Sequence, residues 1–121
     1  IAERILTGLD YVGVMGIELF DLKGNAGLRV NEIAPRVHNT GHWTQDGCVC
    51  DQFEQHIRAI VGWPLGQTDP HARIEMTNLL GAEIERWPRL AADPDVRLHL
   101  YGKTTARSGR KMAHYNRISR L

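Results

Sequence analysis

The sequence predicts an α+β fold: a strand hairpin plus helix, followed by a small β-rich piece. Three observations carry that prediction. Two apolar, β-branched runs, 12–20 and 28–33, flank a polar link that contains glycine. Val49, Phe53, Ile57 and Ile60/Val61 then recur at helical spacing. Beyond Pro70, short strand-like runs and turn signals replace the helical period.

Residues 1–9 read as the end of an amphipathic helix, with Gly8 near its C-terminus. The link 21–27 follows the first strand, and its glycines suit positive φ. A hairpin symmetric about Asn25 pairs Glu18 with Glu32 on one face. Pro35 stops the second strand and opens a loop, 35–44. Thr44 is the expected N-cap of a helix running to about Val61, ended by Gly62 and kept from continuing by Pro64. Cys48 and Cys50 fall inside that helical pattern and read as small buried apolar groups. Cys-x-Cys is a poor disulfide geometry, and free thiols suit a reducing cytoplasm. Further strands are expected at 72–80, 96–101 and 111–118, with a short helix or loop containing Pro88 at 85–92 and a basic turn at 103–111. A boundary is expected near 67–70.

Composition narrows the function. At 121 residues the chain suits one domain or one piece of a larger one, and its net charge of +1 gives no reason to expect a nucleic-acid or membrane partner. No apolar run approaches the length of a membrane span, and no signal-peptide pattern opens the chain. Ile1 enters in mid-helix and Leu121 closes a basic tail, so the chain is expected to be a fragment.

Two clusters carry chemistry. Carboxylates facing across a strand pair repel, and Mg²⁺ would compensate Glu18 and Glu32 while bridging them to substrate phosphates. A one-residue slip in register would instead turn them to opposite faces, as ordinary solvated carboxylates. Arg36, His38 and Asn39 add donors on the loop held by the hairpin. The second cluster, Lys103, Arg107, Arg110 and Lys111 about Gly102 and Gly109, can receive a phosphate or simply be a solvated basic hairpin. It lacks interleaved aromatics, which argues against nucleic acid. His38 and His42 are four apart, but Pro35 and Gly41 oppose the helix a zinc pair would need, and no HExxH glutamate stands between them. Trp43 is expected to pack behind the loop and His56 on the helix flank, while His71, His99 and His114 form no constellation in the sequence.

The run Gly13-Val14-Met15-Gly16-Ile17-Glu18-Leu19-Phe20, followed by Asn31-Glu32-Ile33-Ala34-Pro35-Arg36-Val37-His38-Asn39-Thr40-Gly41-His42-Trp43-Thr44, resembles the N5-carboxyaminoimidazole ribonucleotide synthetases. These are ATP-dependent subunits or domains of phosphoribosylaminoimidazole carboxylase, within the ATP-grasp superfamily. Gln52-Phe53-Glu54-Gln55-His56, Asn78-Leu79-Leu80-Gly81, and His99-Leu100-Tyr101-Gly102-Lys103 leading to Gly109-Arg110-Lys111-Met112 agree in order. The Asn31-Glu32 pair marks only the superfamily; the loop run together with Gly109-Arg110-Lys111 is far more specific.

The resemblance implies the C-terminal part of an ATP-grasp domain over 1–66 and a truncated, small β-rich C-terminal domain over 67–121. It implies a ligase that joins bicarbonate to 5-aminoimidazole ribonucleotide in purine biosynthesis, with release of ADP and phosphate. Bicarbonate would attack the γ-phosphate to give carboxyphosphate, which delivers its carboxyl group as CO₂ to the ribonucleotide amine. Glu18 and Glu32, with Asn31, would hold Mg²⁺, and Asn31 and Glu32 would face the ATP phosphates. Arg36 and His38 would be catalytic and, with Asn39 and Thr40, would contact carboxyphosphate and ribonucleotide. Lys103, Arg110 and Lys111 would receive the ribonucleotide 5′-phosphate, so that hairpin and basic turn wall one cleft. A cytoplasmic homodimer is the expected full-length form, with no nucleic-acid or membrane partner. Thr40 stands where the family pattern has serine and Ser108 where it has proline, and the hairpin link looks slightly long. The family's N-terminal domain and its adenine-gripping lobe have no counterpart here, so the chain alone is expected to be inactive. The alternatives are another ATP-grasp ligase, or a non-catalytic anion-binding or interaction fragment.

Overall fold

The computed structural model describes residues 1–23 and 27–119. In order, its helices and strands are α1 (Ala2–Gly8), β1 (Gly16–Leu22), β2 (Gly27–Ala34), α2 (Thr44–Gly47), α3 (Gln52–Ile60), β3 (Arg73–Leu80), α4 (Trp87–Ala91), β4 (Val96–Leu100) and β5 (Lys111–Ser119). Contacts divide the chain into two units, one made of 1–42 and 50–68, the other of 43–49 and 69–121.

In the first unit, β1 and β2 form an antiparallel pair in which Glu18 lies opposite Glu32 as expected, although the turn-side pairs, Leu19 with Val30 through Leu22 with Gly27, run one residue out of a symmetry about Asn25. That expected centre, Asn25, lies outside the described residues; Gly27, which enters β2, has φ +69°. The strand begins at Gly16, not at Val12, because the backbone before it is engaged away from β2. Gly13 takes φ +135°, and the Val14 N–H donates to His56 Nδ1 at 3.0 Å. The register also slips between Glu18 and Leu19, since Leu19 pairs with Val30 and leaves Asn31 as an extra residue. This is a β-bulge, which re-aims side chains near it.

The single helix expected from Thr44 to Val61 is two. After α2 the backbone becomes extended at Cys48 (φ −125°, ψ 155°), which bridges to Pro70. Cys50 donates its N–H to the Gln67 carbonyl. A new helix, α3, starts behind Asp51, whose carboxylate accepts from Phe53 N–H (2.7 Å) and Glu54 N–H (2.9 Å). The cysteines are therefore buried, as expected, but in an extended segment and not on a helix. Val49 is 74% exposed.

In the second unit, β3, β5 and β4 form an antiparallel sheet in that order. Leu79, Leu90, Val96 and Ala113 make its core, with Ile84, Leu98 and Tyr115 packed against them. The segment containing Pro88 is a 3-10 turn over Gly81–Arg86 running into α4, with the proline in the first turn, where its missing N–H costs nothing. No helix among the described residues is long and apolar enough to cross a membrane.

Candidate active site

The bulge builds the acidic end of the first unit. Period-two alternation alone would point Asn31 away from Glu32. The extra residue lets the Asn31 side-chain amide donate to Glu18 Oε2 at 3.3 Å. Ligand atoms of Glu18, Glu32 and His38 all lie within 4.8 Å of one another. At such spacing two carboxylates repel by roughly 1 to 3 kcal/mol between water-like and surface dielectrics. A hard divalent cation with oxygen ligands would relieve that repulsion, so the donor set fits Mg²⁺.

His38 is placed by the turn that follows it. It caps the 3-10 turn Asn39–Gly41 by accepting from the Thr40 N–H at its own Nδ1, at 3.4 Å. The Thr40 hydroxyl lies 2.9 Å from the same nitrogen. With Nδ1 engaged, Nε2 is the edge turned to Glu18, 3.7 Å from Oε1. Gly16 makes room for this, since a Cβ there would come within 2.8 Å of His38 Cβ and Cγ. The structure thus brings together Glu18, Asn31, Glu32, His38 and Thr40. Asn39 opens the same 3-10 turn. Arg36 is exposed on the loop, its guanidinium donating to the neighbouring Val37 carbonyl at 3.0 Å.

Two further residues fix this loop, and sequence reasoning gave them no role. Gln52, buried at the start of α3, hydrogen-bonds both main-chain groups of His38 and the His42 ring. His56, one turn further along α3, accepts from Val14 and holds the approach to β1. The sequence marks both only as the ends of the Gln52-Phe53-Glu54-Gln55-His56 run that carries the family resemblance, which assigns them no contact.

The second unit carries the basic turn. Lys103 donates to the Lys111 carbonyl and sits over the Tyr101 ring, 5.3 Å from its centroid. Arg110 donates to the Thr105 carbonyl at 3.0 Å. The turn is tied down where Gly81 N–H donates to the Arg110 carbonyl at 2.8 Å. Gly81 has φ +51°, and a Cβ there would lie 2.8 Å from the Arg107 carbonyl. Lys103, Arg110 and Lys111 are all solvent-exposed on this one turn.

Two of the three histidines without an expected partner, His99 and His114, share one cluster; His71 is not part of it. Asp46 Oδ2 accepts from His99 Nε2 at 2.7 Å and from the Asn116 amide at 2.6 Å. His99 stacks on His114, with centroids 4.4 Å apart and planes 6° from parallel. The Tyr101 hydroxyl lies 2.8 Å from His114 Nδ1, and burial pushes the Tyr101 phenol above its ordinary pKa. Trp43 packs on Gly47 in the same unit.

Comparison with known proteins gives two family matches in sequence order. The ATP-grasp domain matches residues 1–53 and the phosphoribosylaminoimidazole carboxylase C-terminal domain matches 75–120. An N5-carboxyaminoimidazole ribonucleotide synthase of Brucella melitensis is 55% identical over 117 residues, covering 97% of this chain and 32% of that protein. A crystal structure of an N5-carboxyaminoimidazole ribonucleotide synthetase as its ADP complex superposes with a TM-score of 0.89 at 41% identity, covering 98% of this chain and 31% of that one. An Aspergillus clavatus synthase solved with ADP and 5-aminoimidazole ribonucleotide gives 0.81 at 33% identity, covering 88% and 30%. The chain spans about a third of the length of the synthases it matches.

Proposed function

Because this chain belongs to the N5-carboxyaminoimidazole ribonucleotide synthetase family, we propose that the protein it is part of carboxylates 5-aminoimidazole ribonucleotide with bicarbonate and ATP. The observation that carries the proposal is the bulged hairpin, with Glu18 opposite Glu32, the Asn31 amide on Glu18 and the His38 edge beside them. Glu18 and Glu32 would hold Mg²⁺, with Asn31 beside them at the ATP phosphates. The ion would neutralise charge on the β- and γ-phosphates.

The chain's own groups bind and orient. Bicarbonate oxygen bonds to the γ-phosphorus as the bond to ADP breaks, and the resulting carboxyphosphate gives its carboxyl group to the ribonucleotide amine as phosphate leaves. Positioning and charge neutralisation dominate such transfers. Arg36 and His38, with Asn39 and Thr40, would hold carboxyphosphate against the amine. Lys103, Arg110 and Lys111 would take the 5′-phosphate, for which an exposed guanidinium and two ammonium groups on one turn are apt. The division into an ATP-grasp piece, 1–66, and a small C-terminal domain, 67–121, belongs to the same reading and is supported by the span of the two family matches. So do a cytoplasmic location and a homodimer.

Titration calorimetry of 5-aminoimidazole ribonucleotide and of Mg-ATP, into this chain and into the full-length protein, tests the reading. The ribonucleotide should bind both and Mg-ATP only the full-length protein. Failure of the full-length protein to bind either ligand would overturn it.

A further inference from the structure

We infer that Gln52 is a positioning residue that sets the direction of the His38 ring relative to Glu18, a role that rests on the proposed carboxylation site. Its amide makes three hydrogen bonds to the loop. Oε1 accepts from the His38 N–H at 2.9 Å. Nε2 donates to the His38 carbonyl at 2.9 Å and meets His42 Nδ1 at 2.7 Å. The two main-chain bonds fix the amide's orientation, because the opposite flip would set oxygen against carbonyl and NH₂ against N–H. The remaining amide hydrogen then points at His42, whose Nδ1 must accept. The His42 ring stacks on Phe53, with centroids 5.7 Å apart.

Both peptide groups flanking the His38 Cα are thereby pinned to α3. Gln52 is only 7% exposed, and it stands in the first turn of a helix whose start Asp51 caps. The loop is shaped to it, since a Cβ at Gly41 would collide with the Gln52 amide. With the His38 backbone fixed by Gln52, its Nδ1 held by Thr40 and its Cβ seated on Gly16, one ring direction remains. That direction turns Nε2 toward Glu18. Nδ1 is engaged by Thr40, so Nε2 is the ring nitrogen that His38 presents at the edge of the carboxylate pair. Gln52 touches no reacting group in this arrangement; it acts through His38.

The test uses the full-length protein with Gln52→Leu and Gln52→Glu. Leucine removes all three bonds. Glutamate keeps the acceptor for the His38 N–H, and regains a donor only when protonated. Gln52→Leu should lower kcat for ribonucleotide-dependent ATP turnover by about 10- to 100-fold, the scale of an ångström-level misplacement, with the Mg-ATP KM within twofold. Gln52→Glu should be impaired at neutral pH and recover as pH falls, a pH profile absent from the parent protein. A purely structural role would lower the melting temperature of Gln52→Glu in step with turnover, whereas positioning lowers kcat at pH values where the variant melts like the parent. Turnover within twofold of the parent in Gln52→Glu across the pH range would overturn the inference, and this variant is decisive even if the leucine protein does not fold. Nitrogen NMR of the histidine rings separates this from the functional reading. If the parent shows no ribonucleotide-dependent turnover, the function fails. The inference then stands if the His38 ring resonances differ between the parent and Gln52→Glu, and falls if the two spectra agree.

Discussion

Each charged side chain of the proposed site does work that its neighbours cannot. Glu18 and Glu32 supply hard oxygen donors, Asn31 steadies one of them through its amide, and His38 turns a ring edge toward the same carboxylate. In the other unit, Arg110 is the forked cation of the basic turn, its guanidinium already using one N–H on the Thr105 carbonyl. A charge-assisted bond to phosphate is worth roughly 1.5 to 3 kcal/mol. Arg110→Ala should therefore raise the ribonucleotide KM by about 10- to 100-fold in the full-length protein while the ATP KM stays within twofold. Equal increases in both constants, from initial-rate kinetics, would remove Arg110 from the 5′-phosphate site. The side-chain types that the proposed site calls for, carboxylates for Mg²⁺ and cations for phosphate, are legible in the sequence. Gln52 is not, because a buried amide becomes informative only once α3 is known to start beside the loop.

At the level of elements, what is legible depends on whether a local rule decides the outcome. Hairpin symmetry anticipates the facing of Glu18 and Glu32, but the structure reaches it through the bulge: the turn-side pairs are one residue out of that symmetry, and without the extra residue Glu18 would face Asn31. Strands β3 and β5 follow from alternation bounded by turn residues. The bulge at Asn31 leaves no mark on the hydrophobic pattern, since the apolar residues of β2 flank it on both sides. The break between α2 and α3 has tertiary causes: Cys48 is drawn into a bridge with Pro70, and Cys50 bonds to Gln67. Helical spacing runs straight through such a break, although Asp51 three residues before Glu54 is a better N-cap signal than Thr44. The cluster of Asp46, His99, His114 and Asn116 depends on the register of β4 against β5, which sets His99 opposite His114. The turn from α4 into β4 yields a pH prediction. Asp93 sits below the ordinary carboxylate pKa of 3.8, chiefly because the Asp95 N–H donates to it and then because Arg117 lies 3.0 Å away. A lowered folded-state pKa adds stability above the unfolded value, which is lost as pH falls through the folded one. Denaturant melts should show part of the stability lost as pH drops below about 4, and Asp93→Asn should make that acid limb shallower. An unchanged limb in the variant would contradict the assignment.

At the scale of the whole chain, α3 keeps an apolar face exposed. Phe53, Ile57, Ile60 and Val61 share one face of α3 and its C-terminus, and they are 39%, 51%, 52% and 51% exposed. Trp63 and Leu65 continue the exposed apolar run at 62% and 65%. The helical spacing that announces a core face is real, but this face stays half exposed among the described residues. A contiguous apolar patch of this kind drives association. Sedimentation of the chain alone should show concentration-dependent self-association that Phe53→Asp with Ile57→Lys reduces; the same behaviour with and without the substitutions would show that this face is not the cause. The central claim is that the bulged hairpin is the metal and ATP-phosphate pair of a ribonucleotide carboxylase. Its most direct test is ADP release by the full-length protein, with and without 5-aminoimidazole ribonucleotide and bicarbonate, for the parent and for Glu32→Gln. The account predicts turnover that needs both substrates in the parent and falls at least about 100-fold in the variant, as expected for loss of a ligand to the phosphate-bound metal, while the variant still binds the ribonucleotide. Turnover in Glu32→Gln equal to the parent would contradict it.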